Sequence, residues 1–410
     1  MRLANGYVIR LLPRLLRHDA TKGLLLVACA AAALLMANGS WAETYQRVLA
    51  LPVPVPGKEL TLVLFVNDFL MAIFFLLVGM ELKRELTAGQ LNSRARMMLP
   101  TLAALGGMAG PAVIHAALNR ADPVALQGWA IPCATDIAFA LGMLALLGNR
   151  VPTGLKVFLT ALAVLDDLGA IVIIALFYGS GLHPWFLLGA LVVFGFMGIL
   201  NKRGVVRIPV FLALGLVMWW FMLKSGVHAT IAGVATALTI PSNDSNGRPV
   251  MERLEHQLAP LVNFVILPIF AVMNAGVSFG GGGLATLAHA PALGVAIGLV
   301  AGKTLGVFGA SWLTVKLRLG ALPEGVAWRS LLATSVLCGI GFTMSIFIAE
   351  LAFKTAPNAA PEAAVMAAEL LNESKGGILL GSLVSAVVGV AALWFVLPRG
   401  DQHTADVPLD

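Results

Sequence analysis

A chain of 410 residues that is 59% hydrophobic and only 12% charged is not a soluble domain, in which charged residues approach a quarter of the total. Its net charge of +6 does not point to nucleic acid, because the basic residues lie in short loops between apolar runs instead of on one solvated surface. Three cysteines, Cys29, Cys133 and Cys338, sit in apolar segments and form no disulfide framework.

Taken in chain order, Arg2, Arg10, Arg14, Arg17 and Lys22 precede an apolar run, a layout shared with export signals. Leu26-Val27-Ala28-Cys29 looks like a lipoprotein cleavage box, but the apolar run continues to Ala37. The segment is therefore expected to remain as a first membrane span. The sequence supports about twelve spans, each needing roughly 20 apolar residues, near 23–39, 61–82, 97–118, 124–147, 152–178, 184–201, 206–222, 226–240, 257–277, 288–315, 328–353 and 375–398. Lipid permits only helices or closed barrels, and runs such as 62–79 are continuously apolar rather than alternating, which excludes the barrel. The expected fold is one all-α polytopic membrane domain over 1–410. No polar stretch is long enough for a second domain; the largest lie near 40–61, 241–257 and 354–375. Within the first, 47–58 alternates weakly and contains Pro52, Pro54 and Pro56, which permit only short, edge-like strands.

Placing the N-terminus inside puts most of the 27 Lys and Arg residues on the cytoplasmic side, so both termini are expected in the cytoplasm. The exceptions are ionisable residues within spans, where a charge costs roughly 2.5–3.5 kcal/mol on insertion scales and persists when it has a task. Asp136 lies in the fourth span, the adjacent pair Asp166-Asp167 in the fifth, and Lys303 in the tenth. An ion-pair cluster accounts for one aspartate with Lys303 but leaves another carboxylate over. The fourth span also contains Pro132 and Thr135, and the eleventh contains Cys338-Gly-Ile-Gly-Phe-Thr-Met-Ser345. Such interruptions fit unwound backbone lining a cavity, and their paired placement suggests inverted repeats, spans three to five against ten to twelve. Asp136 would then offset the positive N-terminal half-helix ends and Lys303 the negative C-terminal ends. Gly106-xxx-Gly110 and Gly377-xxx-Gly381 suggest close helix packing. Gly302-Lys303-Thr304 lacks the earlier glycine and strand of a phosphate loop.

These residues resemble the NhaA-type sodium/proton antiporters over nearly the whole chain. The blocks that carry the resemblance are 74–86 (with Gly79-Met-Glu-Leu-Lys-Arg-Glu85), 128–142 around Ala134-Thr-Asp136, Leu165-Asp-Asp-Leu-Gly169, 223–230, Arg253-Leu-Glu-His256 and 338–348. The resemblance implies twelve helices with spans four and eleven crossing as broken helices, an inner-membrane location, Na+ or Li+ as substrate, and pH-regulated, electrogenic exchange. By the same resemblance Asp167 is the main ion ligand, Asp166 the partner of Lys303, and Thr135 and Asp136 part of the crossing. Na+ would be held by Asp167, Asp166 and Thr135. Glu81, Arg84, Glu85, Glu255 and His256 match the pH-response cluster, and 46–62 the β-hairpin through which the family dimerises. Glu252 and Ala259 depart from the family, which has a basic residue and a second histidine there; the external segment 354–375 is longer and more acidic.

The chemistry follows from competition, since one carboxylate holds a proton or a hard cation, not both. An adjacent pair titrates as a coupled unit, and Na+ leaving it is replaceable by up to two protons. Lys303 either carries one of these protons or serves only to balance charge. The implied partners are lipid, Na+, Li+, H+ and a second copy of the chain, with no cofactor and no enzymatic step. Two other readings compete. An intramembrane aspartyl protease needs aspartates on separate helices and Gly-x-Gly-Asp, whereas Gly339-Ile-Gly341 is followed by Phe342. A cation channel needs no proton-linked step.

Overall fold

The computed structural model describes residues 19–87, 94–179, 181–244, 246–279, 283–355 and 360–398; Arg2, Arg10, Arg14 and Arg17 lie outside them. Among the described residues, nine helices are long and apolar enough to cross a membrane, and two bent helix pairs raise the number of spans to eleven. The chain begins with α1 (Asp19–Asn38), short α2 (Ala42–Leu49) and an antiparallel hairpin, β1 (Pro52–Val55) with β2 (Lys58–Thr61). There follow α3 (Leu62–Thr87) and α4 (Arg94–Leu118), then a 3-10 half-helix, Ala125–Cys133, bent by 42° against α5 (Ile137–Ala145). Next come α6 (Thr153–Phe177), α7 (Pro184–Lys202), α8 (Ile208–Ser225) and α9 (Ile231–Thr239). The last third holds α10 (Val250–Asn274), α11 (Ala290–Lys316), the pair α12 (Trp328–Leu337) and α13 (Phe342–Ala352), bent by 47°, and α14 (Pro361–Val396).

Two segments differ from the spans expected. The eighth, near 226–240, is helical only over the nine residues of α9, roughly 14 Å at 1.5 Å per residue and too short to cross alone. It is buried against α3 instead, and the Lys83 ammonium donates to the Leu238 and Ile240 carbonyls at its end, at 2.9 and 2.5 Å. The last helix starts at Pro361, well before residue 375. Its first turns lie on the loop after α10. Asn372 exchanges hydrogen bonds with the Ser278 backbone at 2.7 and 3.0 Å, and Glu373 meets His289 at 2.6 Å.

Contacts between elements order the two ends of the bundle. Lys22 of α1 and Glu81 of α3 line one cavity, and Arg84 reaches Glu255 at the start of α10. The start of α1 therefore shares a face with these groups. Asn38, at the far end of α1, bonds Val277 and Phe279 beyond α10, so the hairpin lies on the opposite face. Its register pairs Pro52 with Thr61 and Val55 with Lys58, and Gly57 takes φ +74 in the turn, a region closed to most side chains. Trp220 and Lys224 of α8 donate to the Pro56 and Gly57 carbonyls at 3.0 and 2.9 Å and hold the tip down.

The packing of α4 on α11 sets the position of Lys303. A Cβ added to Gly110 would lie 2.5 Å from the Gly302 carbonyl oxygen, so the two backbones touch and only hydrogen fits between them. Gly106-xxx-Gly110 thus faces Gly302-xxx-Gly306. Residues Gly298–Gly302 form a π-helical turn immediately before Lys303, a local widening often found at functional positions.

Candidate functional site

At the centre of the bundle the two bent pairs cross. Their unwound links exchange backbone contacts: the Asp136 amide donates to the Ile340 carbonyl at 2.7 Å, and the Thr135 hydroxyl donates to the Cys338 carbonyl at 2.8 Å. Two half-helices, α5 and α13, begin here, so their unbonded N–H groups and positive dipole ends converge. Asp136 lies between them. It caps α5 by accepting from the Phe139 amide at 2.9 Å, and accepts from the Thr343 amide at 3.1 Å and hydroxyl at 2.5 Å on α13. Ser382 of α14 completes the second cap, accepting from the Gly341 and Phe342 amides at 3.2 and 3.1 Å.

The aspartate pair lies on α6, fully buried, with the two side chains turned to different neighbours. Asp166 Oδ2 accepts from Lys303 Nζ at 2.5 Å, and neither side chain has any exposed surface. Asp167 has no hydrogen-bond partner on either carboxylate oxygen. Buried polar atoms are nearly always bonded to protein or water, so the two unbonded oxygens make Asp167 the candidate ligand of this site. They face a cavity of about 120 Å³ whose wall includes Asp167, Asp136, Thr343, Asn263, Glu81 and Lys22. Adjacent acidic residues on one helix diverge by about 100°, which is how neighbours in sequence serve an ion pair and a cavity at once.

The remaining expected residues divide by place. Glu81 reaches the cavity, while Arg84 lies 3.5 Å from Glu85 and 3.4 Å from Glu255. His256 is exposed and its Nδ1 faces the Glu252 carbonyl of its own helix at 2.7 Å. Thr135 is buried in the crossing, Asp166 on α6 and Lys303 on α11, and none of the three lines the cavity. Four residues of this site are not singled out from sequence: Thr343, Ser382, Lys22 and Asn263, the last a polar residue in an otherwise apolar stretch of α10. Thr343 lies in the broken eleventh span, where a hydroxyl beside Gly341 was the available signal. Ser382 carries no signal, since serines on membrane helices commonly bond their own backbone. Lys22 is read from sequence as one of the basic residues that orient the chain.

Comparison with known proteins gives one result throughout. Residues 13–393 match the family model described as Na+/H+ antiporter 1. A relative from Albidiferax ferrireducens, named Na(+)/H(+) antiporter NhaA, is 50% identical over 396 residues, 94% of this chain and 97% of its own length. Relatives of the same name from Yersinia pseudotuberculosis (strain YPIII) and Yersinia pestis are each 51% identical over 387 residues, 93% of this chain and 96% of theirs.

Proposed function

The chain belongs to the Na+/H+ antiporter 1 family, and on that premise we propose that its sodium/proton exchange runs through Asp167 with Asp166 as its partner. The observation that carries the reading is the buried Asp167 carboxylate, with both oxygens unbonded, in the wall of a cavity. Na+ is a hard cation that takes oxygen ligands, and these two oxygens, the neighbouring Asp166 and the nearby Thr135 supply them; Li+ fits the same chemistry. A proton on Asp167 removes its charge and displaces the cation. Exchange follows from alternate opening of the site to the two faces.

Two protons returned for each Na+ exported moves one net charge inward. At 100 mV that adds about 2.3 kcal/mol to the drive for sodium extrusion. The two aspartates carry the protons, and Lys303 and Asp136 balance the half-helix ends. Family membership favours a cell inner membrane and the loop charges favour cytoplasmic termini, which makes the cavity the cytoplasmic access route. Glu81 in the cavity wall, with Arg84, Glu85, Glu255 and His256 near it, gives the exchange its pH response. The test is a Na+-driven pH change in proteoliposomes at pH 6 to 9. Wild type should acidify or alkalinise the lumen only when Na+ is present. Glu255→Gln should move the pH midpoint while keeping the maximum rate within about twofold, for a residue that sets access and not chemistry. A Na+ flux with no linked pH change would identify a channel instead.

We also assign the hairpin face to a homodimer contact. The prolines of β1 remove ladder donors, but β2 keeps a strand edge that a second copy can meet. Replacing residues 52–61 by a Gly/Ser linker should give monomers in mild detergent that still exchange Na+ for H+. An unchanged dimer by native mass spectrometry would reject this contact.

A further inference from the structure

We propose that Lys22 is a specificity-determining residue for the same exchange, a fixed positive charge in the ion cavity that sets how strongly Na+ is drawn in. The inference rests on Asp167 being the ion ligand. Lys22 occupies the first turns of α1, and its side chain forms part of the wall of the cavity that Asp167 and Asp136 also line. It is close enough to act electrostatically on the Glu81 carboxylate across that cavity. Its position is set by backbone contact. The next residue, Gly23, lies on α5, where an added Cβ would be 3.5 Å from the Gly142 Cα. The start of α1 thus packs on the half-helix capped by Asp136, which places Lys22 at the cavity wall.

The charges around the cavity give its effect a sign. Glu81, Glu85 and Glu255 attract cations, whereas Lys22 and Arg84 repel them. Arg84 and Lys22 both act on Glu81, and Lys22 is the one of the two that lines the cavity. Removing it leaves the cavity one unit more negative, with Asp167 and Asp136 untouched. Two unit charges about 10 Å apart at an effective dielectric of about 25 to 80 interact strongly enough to change an affinity on the order of two- to tenfold. The present charge thus keeps Na+ affinity moderate and lets the ion leave the site. Without it, binding tightens and release slows.

The experiment measures Na+-dependent pH change against Na+ concentration, separately for each face, in everted and right-side-out vesicles. Lys22→Gln should lower the apparent KM for Na+ by on the order of two- to tenfold, with maximum rate equal or reduced. The shift should appear for Na+ presented at the Lys22 face and not at the other. Lys22→Arg should restore the wild-type KM, and Lys22→Glu should lower it beyond Lys22→Gln. High choline chloride should shrink these differences by screening. Equal KM in wild type, Lys22→Gln and Lys22→Glu would overturn the proposal, as would a shift of the same size from both faces. An active Asp167→Asn in the same vesicles would instead overturn the assignment of the ion ligand, so the two failures are distinguishable.

Discussion

Asp167→Asn should abolish Na+-driven pH change in proteoliposomes, to the level of empty liposomes, while the protein inserts and purifies normally. Asparagine keeps the size of the side chain and one acceptor oxygen, but it holds neither a proton nor a full negative charge. Both halves of the exchange are therefore lost together. Purified wild type should release protons when Na+ is added, and the variant should release few or none. The stability outcome separates this from simple damage. In the structure the carboxylate is buried with neither oxygen bonded, and an unpartnered buried charge is costly. A neutral amide removes that cost, so Tm should be equal to wild type or higher. Proton release at near wild-type amplitude from Asp167→Asn would refute the assignment.

Lys303 is expected to give the opposite pattern. Its ammonium and the Asp166 carboxylate are 2.5 Å apart with no exposed surface on either. Breaking such a buried pair from one side leaves an uncompensated charge and typically costs about 3–5 kcal/mol. Lys303→Ala should therefore lower Tm sharply and reduce yield in detergent. Lys303→Arg keeps the positive charge, and arginine does not deprotonate at accessible pH. If Lys303 only balances Asp166 and the half-helix ends, Lys303→Arg should be less stable than wild type, because the forked guanidinium must fit beside Gly107, yet remain electrogenic. That is the expected result, because neither member of the pair lines the cavity. Charge moved per Na+, read as current on a solid-supported membrane, decides it. A variant that transports Na+ with no net charge would show that Lys303 carries one of the protons.

What the sequence determined by itself is the class of molecule and the chemistry at its centre. Low charge and long apolar runs leave only a helical membrane protein, because lipid offers no partner for open backbone. Asp136, Asp166, Asp167 and Lys303 stand out for the same reason: charge inside an apolar run is expensive, so its presence is informative without any structure. Pro132 and the 338–345 stretch marked the two broken spans, since Gly, Pro and hydroxyl residues at mid-depth are incompatible with a plain lipid-facing helix. Apolar content is a weaker guide to length. It began the last span at 375, although the helix starts at Pro361, because burial inside the bundle and burial in lipid leave the same composition.

Only the tertiary structure decided which charge meets which. Two adjacent aspartates are equivalent in a string of letters. Their separation into an ion pair and an open ligand depends on α11 touching α4 through facing glycines and placing Lys303 on one side of α6. The convergence of two N-termini on Asp136 joins residues 207 positions apart, and Ser382, about forty positions further along the chain, caps one of them. Lys22 shows the limit most clearly. In sequence it is one of several basic residues ahead of a first span, where topology accounts for it. In the fold its helix start lies flat on α5, and the same charge becomes part of the wall of the ion's route. Electrostatic effects depend on distance and on what surrounds the charges, and neither quantity exists until the helices have packed.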